Sequence, residues 1–173
     1  VLNTSGYARR GELTTKTCAV QTPVFMPVGT YGTVKGLTPE HLHDIGFEII
    51  LGNAFHLHQR PGLETIKKFN GLHDFMGWNK SILTDSGGFQ IWSLNDLRKI
   101  TEEGVEFKSP LDGSKIFMSP EDSIDTQLTL NSDIIMAFDE CTDYPSSYED
   151  AEQSMHLTHR WTERSLNYFQ KHQ

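Results

Sequence analysis

The sequence predicts an α/β fold built on parallel strands, and three features support that prediction. Short apolar segments alternate with helical patterns along the 173 residues, which is typical of strands buried on both faces and joined by helices. Hydrophobic residues make up 36% of the chain, with 10 Phe and 3 Trp, so there is enough apolar material for a core. Each predicted strand also ends in small or polar residues. A βα barrel and a doubly wound open sheet both place a site at such ends, and the pattern alone leaves both open.

The predicted strands are short, and polar or small residues follow each one. The strands are predicted over residues 23–28, 47–51, 81–84 and 133–138. The segments that follow them are Gly29–Thr30, Gly52–Asn53, Asp85–Gly88 and Asp139–Cys141. Because the carboxyl ends of parallel strands meet at one edge, these segments are candidates for a shared site.

Two helices have clear start signals in the sequence. Thr38 is the predicted N-cap of the first, with Pro39 at the first helical position and Gly46 at the end. Ser119 and Pro120 repeat this arrangement later in the chain, with acidic residues in the first turn.

Two further helices and a hairpin are predicted from periodicity and turn chemistry. A helix over residues 62–69 places Ile66 and Phe69 on one face. A longer helix begins near Ser147, and its predicted apolar stripe consists of Ala151, Met155, Trp161, Leu166 and Phe169. An Asp-Gly turn within Leu111–Ser114 predicts an antiparallel hairpin, whose strands are residues 105–108 and 115–118.

Composition excludes several classes of protein. The 15 Lys+Arg against 23 Asp+Glu give a net charge of −8, which argues against indiscriminate binding of nucleic acid. No run of about 18 apolar residues is present, so no membrane span is expected. The first residues lack the features of a secretory signal, and Cys18 and Cys141 are too few for a disulfide framework or a zinc site. A reduced, cytoplasmic protein is therefore expected.

Four side chains at or beside the strand ends could take part in chemistry, and each has a structural alternative. Asp85 could act as a general acid or base, or it could belong to an ordinary turn with two glycines. Asp139 could accept hydrogen bonds from a ligand that carries adjacent N–H donors, as guanine does, or it could cap a turn. Phe89 could stack on a base or lie in the core, and Asn53 could bind a hydroxyl or cap a helix.

Other candidates point to structural roles. Glu140 and Cys141 are expected to be structural, because Cys141 has no basic neighbour in sequence to lower its pKa. The 8 histidines show no metal-ligand spacing, so no metal site is expected in this chain. Asp85–Gly88 fits neither the dinucleotide-binding nor the P-loop pattern.

Five segments together resemble the bacterial tRNA-guanine transglycosylases, also called queuine tRNA-ribosyltransferases. The segments are Thr22–Thr30, Leu51–Leu57, Asp85–Gln90, Ser109–Ser114 and Phe138–Thr142. They occur in the family's order and span nearly the whole chain, so the set is specific. The resemblance implies a (β/α)8 TIM barrel with insertions, which takes about 250 residues. Residues 1–173 are then expected to form the N-terminal half of a single catalytic domain.

The resemblance also implies an activity and a role for each matching residue. The family exchanges guanine at the wobble position of tRNAs with a GUN anticodon for 7-aminomethyl-7-deazaguanine in queuosine biosynthesis. Asp85 matches the proton-transfer residue, Asp139 the carboxylate that reads the guanine edge, and Phe89 the aromatic ring that stacks on the base. The remaining matches are Ser86, Gly87 and Gly88 in the base pocket, and Val28 and Asn53 near the ribose.

Further family features are expected to lie beyond residue 173. These are the nucleophilic Asp that forms a covalent ribosyl–aspartate, and three Cys and one His that hold a structural zinc. This chain by itself is therefore expected to be inactive. The resemblance implies a homodimer, with residues 30–35 and Leu57 near its interface, and tRNA, guanine and 7-deazaguanine as partners. Whether the incoming base is 7-aminomethyl-7-deazaguanine or queuine stays open.

Two alternatives remain at the level of sequence. A glycoside hydrolase could use Asp85 and Asp139 as its carboxylate pair, held about 5–5.5 Å apart for retention or about 6.5–9.5 Å apart for inversion. A non-catalytic partner subunit of the same fold is the other. Such a subunit is expected to have lost the acidic pocket residues, so the presence of both carboxylates favours the enzyme.

Overall fold

The fold combines short strands with helices, as a computed structural model describes it for residues 1–94 and 98–173. The strands are β1 (Asn3–Ser5), β2 (Ala8–Thr14), β3 (Ala19–Thr22), β4 (Val28–Gly29), β5 (Ile49–Asn53), β6 (Ser81–Asp85), β7 (Arg98–Ile100), β8 (Val105–Lys108), β9 (Lys115–Met118) and β10 (Ile134–Ile135). The helices are α1 (Pro39–Ile45), α2 (Ala54–Leu57), α3 (Leu63–Lys67), α4 (Leu72–Met76), α5 (Gly88–Trp92), α6 (Pro120–Leu130) and α7 (Tyr148–His172). The segment His58–Gly62 joins α2 to α3 as a wide turn.

The described strands form three sheets. The four-stranded sheet has the strand order β10-β6-β5-β4, and β4 and β5 pair in parallel with Val28 opposite Leu51. The other two sheets, β1-β2-β3 and β7-β8-β9, are antiparallel. The prediction of a mixed α/β fold with parallel strands is confirmed.

The chain divides into two compact units. The first contains residues 1–84 and 129–134, and the second contains residues 85–128 and 135–173. The core of the first unit consists of Leu42, Ile50, Ala54, Leu57, Ile66, Leu72, Trp78, Ile82 and Leu130. In the second unit, Phe138 and Trp161 are fully buried and stack with ring centroids 5.1 Å apart.

The predicted helix starts and the hairpin are confirmed. Thr38 caps α1 in a reciprocal arrangement with His41, and Gly46 ends the helix in the left-handed conformation at φ 91°. Ser119 caps α6, where its hydroxyl accepts from the backbone N–H of Asp122 at 3.1 Å. Ser147 begins α7 in the same way. In the hairpin, β8 pairs with β9 as predicted.

Two predicted strands are much shorter than expected, for identifiable reasons. The strand expected over residues 23–28 is reduced to β4, since Pro23 and Pro27 have no backbone N–H to donate to a neighbouring strand. The strand expected over residues 133–138 is reduced to β10. Beyond it, the side chain of Gln127 forms both hydrogen bonds to the backbone of Met136, each 2.8 Å long, in the manner of a neighbouring strand.

The apolar stripe predicted for α7 is wrong in part. Trp161 is buried as expected, but Ala151, Met155 and Leu166 are exposed. The buried face instead includes Ser154 and Ser165, two small polar residues that an apolar pattern overlooks.

Other element boundaries differ from the expectation by a few residues. The helix expected over residues 62–69 ends at Lys67, so that Ile66 is buried while Phe69 is 45% exposed. The strand expected over residues 47–51 is shifted to β5, and β6 extends one residue further than expected, to Asp85. Beyond these shifts, the N-terminal sheet β1-β2-β3, strand β7 and the short helices α2, α4 and α5 were not predicted.

Candidate active site

One open pocket in the second unit brings together all the residues predicted to bind the base. Its volume is about 380 Å³. The predicted residues that line it are Asp85, Ser86, Gly87, Gly88, Phe89 and Asp139, and the other lining residues are Gln90, Met136, Ala137, Thr158 and Thr162. Two acidic residues therefore line a pocket whose volume lies in the range of small-molecule sites.

A sharp turn at the end of β6 positions the pocket residues from Asp85 to Phe89. Asp85 is the last residue of the strand, and α5 begins only three residues later, at Gly88. Gly87 makes the reversal at φ 88°, a left-handed conformation that favours glycine.

Ser86 connects this turn to Asp139. Its hydroxyl donates to Oδ1 of Asp139 at 3.0 Å and accepts from the backbone N–H of Gly88 at 3.2 Å. The carbonyl oxygen of Ser86 accepts from the hydroxyl of Ser123 on α6 at 2.8 Å. These bonds hold Ser86, which is buried, in one orientation.

The two segments approach so closely that only glycine fits at position 88. A Cβ atom there would collide with Oδ1 of Asp139 and would lie 2.6 Å from its carbonyl oxygen. Glycine is thus needed at position 88 because the turn packs closely against Asp139, and at position 87 because the backbone there is left-handed.

Cys141 lies on the other side of the Asp139 carboxylate. Its thiol donates to Oδ2 of Asp139 at 3.5 Å. Burial raises the pKa of the Cys141 thiol to about 11, and the negative charge of Asp139 adds to the increase. A thiol with a raised pKa is a poor nucleophile near neutral pH, which supports the prediction that Cys141 is structural.

The backbone next to Asp139 is anchored to α7. The N–H of Glu140 donates to the hydroxyl of Thr158 at 3.0 Å, and the hydroxyl of Ser154 donates to the carbonyl of Glu140 at 3.1 Å. The backbone of Glu140 therefore positions the segment that carries Asp139, which is a structural role.

Asp85 is held by the side chain of Gln90. Nε2 of Gln90 donates to Oδ2 of Asp85 at 3.0 Å, across the first turn of α5. Oε1 of the same amide is buried, and it has no hydrogen-bond partner among the described residues.

Phe89 presents its ring to solvent. The side chain is 61% exposed, and its ring centroid lies 5.2 Å from that of Trp92. Trp92 is itself fixed by a 2.9 Å hydrogen bond from Nε1 to Oδ1 of Asp143. Phe89 is thus not a core residue, and its ring is available to stack on a planar ligand.

Val28 and Asn53, the two residues predicted near the ribose, lie in the first unit. Val28 begins β4 and is 51% exposed. Asn53 is buried at the end of β5, and its side chain does not cap α2, which removes the capping alternative.

Sequence reasoning missed three residues that support the pocket. Gln90 falls inside a segment used for the family resemblance, so a signal existed, although no role was assigned to it. Ser123 and Thr158 lie on helices distant in sequence and carry no local signal. Their roles appear only when α6 and α7 are seen to pack beside the pocket.

The part of the chain that the structure describes contains neither a metal-binding cluster nor a helix able to cross a membrane. No group of three or more His, Cys, Asp or Glu side chains there could hold a metal ion. None of its helices combines the length and the apolar character needed to cross a membrane.

Comparison with known proteins gives one consistent family. A family model described as queuine tRNA-ribosyltransferase matches residues 4–173. Curated proteins named queuine tRNA-ribosyltransferase are 63% identical over 163 residues in Acinetobacter baumannii (strain ATCC 17978) and 62% identical over 165 residues in Dechloromonas aromatica (strain RCB). A relative with the same name from Psychrobacter sp. (strain PRwf-1) is 60% identical over 164 residues. These matches cover 94–95% of this chain but only 43–45% of the relatives, so the chain spans less than half of their length.

Proposed function

The chain belongs to the queuine tRNA-ribosyltransferase family, and we propose that the whole protein exchanges guanine at the wobble position of GUN-anticodon tRNAs for 7-aminomethyl-7-deazaguanine. The observation that carries this proposal is the pocket itself. Asp85 and Asp139 line it together with an exposed aromatic ring, that of Phe89.

Asp139 is proposed to recognise the base. An ionised carboxylate only accepts hydrogen bonds, and its two oxygens offer about four lone-pair sites, so the bonds from Ser86 and Cys141 leave acceptor capacity. The N1–H and exocyclic amine of guanine form a matching pair of donors. Stacking on Phe89 would contribute about 1–3 kcal/mol per base without selecting among bases.

Asp85 is proposed to transfer the proton. Breaking the bond between ribose and base leaves negative charge on the base nitrogen, and a positioned acid neutralises it. General acid–base catalysis of this kind contributes about 10²–10⁴-fold. The accompanying positive charge on the sugar calls for a carboxylate nucleophile. We propose an Asp beyond residue 173 for that role, so this chain alone is expected to be inactive.

The whole protein is also proposed to be a cytoplasmic (β/α)8 barrel enzyme that forms a homodimer and contains structural zinc. The parallel pairing of β4 with β5 supports the barrel. The described residues offer no group of three metal-binding side chains, so no residue among them is proposed as a zinc ligand. Val28 and Asn53 are proposed to lie near the ribose, as they do in the family.

A glycoside hydrolase with an Asp85–Asp139 pair is less well supported. Asp139 is already bonded to Ser86 and Cys141 on one side of the pocket, and the ring of Phe89 provides a flat wall. These features suit a planar base better than a sugar ring.

The proposal is tested by incorporation of labelled guanine into tRNA that carries guanine at the wobble position, using the whole protein. Asp85→Asn is expected to lower the exchange rate by about 10²-fold or more, because the proton-transfer group is lost. Asp139→Asn is expected to raise KM for the base, because an amide nitrogen replaces one acceptor.

Asp44→Asn is the matched control, since Asp44 is an exposed residue of α1. It is expected to behave like the unmodified protein. Absence of incorporation by the unmodified protein, or full activity of Asp85→Asn, would contradict the proposed function.

A further inference from the structure

The side-chain amide of Gln90 is hydrogen-bonded at one end only. Nε2 donates to Asp85, while the buried Oε1 has no partner among the described residues. A buried acceptor without a partner is uncommon in folded proteins and costs free energy. Packing alone does not explain an amide at this position.

Gln127 in the same unit shows how a structural glutamine is held. Its Oε1 accepts from the N–H of Met136, and its Nε2 donates to the carbonyl of Met136. Exchanging the two ends would place donor against donor and acceptor against acceptor, so this amide has one orientation. At Gln90 no second bond of this kind fixes the orientation of the amide, because the buried Oε1 has no partner among the described residues.

The protonation state of Asp85 changes during the proposed exchange. When the ribose–base bond breaks, its electron pair stays on the base nitrogen, which takes the proton of the Asp85 carboxyl. The proposed nucleophilic Asp beyond residue 173 takes the place of the departing base on C1′ of the ribose. When the new base attaches, its ring nitrogen attacks C1′, the bond between C1′ and that Asp carboxylate breaks, and the N–H proton of the base returns to Asp85. An ionised Asp85 can only accept a hydrogen bond, whereas a protonated Asp85 also donates one.

We propose that Gln90 is a positioning residue that hydrogen-bonds Asp85 in both protonation states by rotating its amide through a half-turn. Nε2 donates to the carboxylate, and Oε1 accepts from the protonated carboxyl. The carboxyl group of Asp85 then keeps its orientation while the proton leaves and returns. The loss and return of the Asp85 proton rest on the proposed function, whereas the hydrogen bond between Gln90 and Asp85 does not. Asp139 is the other titratable side chain among the described residues that line this pocket.

The first test measures exchange kinetics in the whole protein. Gln90→Met keeps the length of the side chain but removes both the donor and the acceptor of the amide. It is expected to lower kcat by about 10-fold to 100-fold, the cost of a misplaced catalytic group, with KM for the base changed only a few-fold. In an Asp85→Asn background the same substitution is expected to have little further effect, because Gln90 acts through Asp85. Equal losses in both backgrounds would overturn the positioning role.

Gln170→Met, on the exposed end of α7, is the matched control.

The second test does not depend on activity. In protein labelled with nitrogen-15 glutamine, the side-chain NH2 signals of Gln90, assigned with Gln90→Met, are followed over the pH range in which Asp85 titrates. They are expected to shift with pH and to stop shifting in Asp85→Asn. The signals of Gln127 are expected to stay constant, because both ends of that amide are bonded to Met136.

The outcomes separate the two proposals. If the Gln90 signals shift as Asp85 titrates but the whole protein exchanges no base, the proposed function is contradicted and the hydrogen bond between Gln90 and Asp85 still stands. A Gln90 signal that ignores pH in an active enzyme would overturn the amide rotation.

Discussion

At the scale of single residues, the pocket depends on how Asp139 is surrounded. Ser86 donates to one of its oxygens and Cys141 to the other, so the carboxylate is oriented before any ligand arrives. Such pre-orientation is how a site avoids the entropic cost of ordering its polar groups on binding. The close approach of Gly88 completes the arrangement.

Gly88→Ala tests this packing. The added methyl group would meet Oδ1 and the backbone carbonyl of Asp139, and a carbonyl cannot move aside without moving the chain. We expect a loss of about 1–3 kcal/mol in the free energy of unfolding. Under the proposed function, the KM for guanine is also expected to rise. Chemical denaturation and the guanine exchange assay measure the two effects.

Gly29→Ala is the control for stability, because a Cβ atom at Gly29 would make only ordinary contacts of 3.5 Å or more. Gly88→Ala protein with unchanged stability and unchanged KM would show that the approach of Gly88 to Asp139 has no role in the site.

At the scale of elements, α7 holds both α6 and the turn that joins β7 to β8. Arg164 forms two hydrogen bonds to the Glu121 carboxylate of α6, and it donates to the carbonyl oxygens of Glu102 and Glu103 in the turn. Trp161 adds a 2.8 Å bond from Nε1 to the carbonyl of Glu102. The same helix anchors the segment beside Asp139, so these contacts support one wall of the pocket.

The Glu121–Arg164 pair predicts how stability depends on pH. The hydrogen bond from Arg164 holds the pKa of Glu121 below its ordinary value of 4.5. A lowered pKa in the folded state means that the pair stabilises the protein above pH 4.5 and that this contribution is lost as the pH falls through the lowered value. Both side chains are about one-third exposed, so the contribution is small, about 1 kcal/mol.

Glu121→Gln is therefore expected to lower the melting temperature at neutral pH, and the difference should disappear well below pH 4.5. Melting curves of the two proteins at both pH values measure this. Glu149→Gln, at the exposed start of α7, is the matched control. A difference of the same size at both pH values would mean that the ion pair is not its cause.

At the scale of the whole molecule, the chain leaves the first unit after residue 84 and returns to it for residues 129–134. Asp133 fastens this returning segment. Its side chain is fully buried, and it accepts from the backbone N–H groups of Thr17 at 3.0 Å and Ile82 at 2.8 Å, while the ring of His73 lies 3.1 Å away. A buried carboxylate with several donors thus joins three distant parts of the first unit.

Asp133→Asn is expected to destabilise the first unit. An amide has one oxygen, so its NH2 group would face one of the N–H donors and leave that donor unsatisfied, at a cost of about 1–3 kcal/mol. Hydrogen exchange at Thr17 and Ile82 reports the loss directly, and Asp44→Asn serves as the exposed control. Unchanged protection of both amides would show that Asp133 does not hold residues 129–134 to the rest of the first unit.

The site was more predictable from sequence than the lengths of the elements were. Asp85 and Asp139 carry local signals, since each follows an apolar strand and lies in a segment typical of the family. The shortness of β10 had no such signal, because it depends on a side chain of α6 that bonds to Met136. The exposure of Phe89 was likewise open, since a motif does not say which way a ring faces.

The sequence by itself determined the class of fold, the helix starts at Thr38, Ser119 and Ser147, the β8–β9 hairpin and which residues line the pocket proposed to bind the base. All of these depend on neighbours a few residues away or on a family pattern. The tertiary structure alone decided which of those residues touch: Ser86 against Asp139, Gln90 against Asp85, and Asp133 against Thr17. Hydrogen bonds between distant segments require that both partners first be brought within about 3 Å, and only the folded chain fixes that distance.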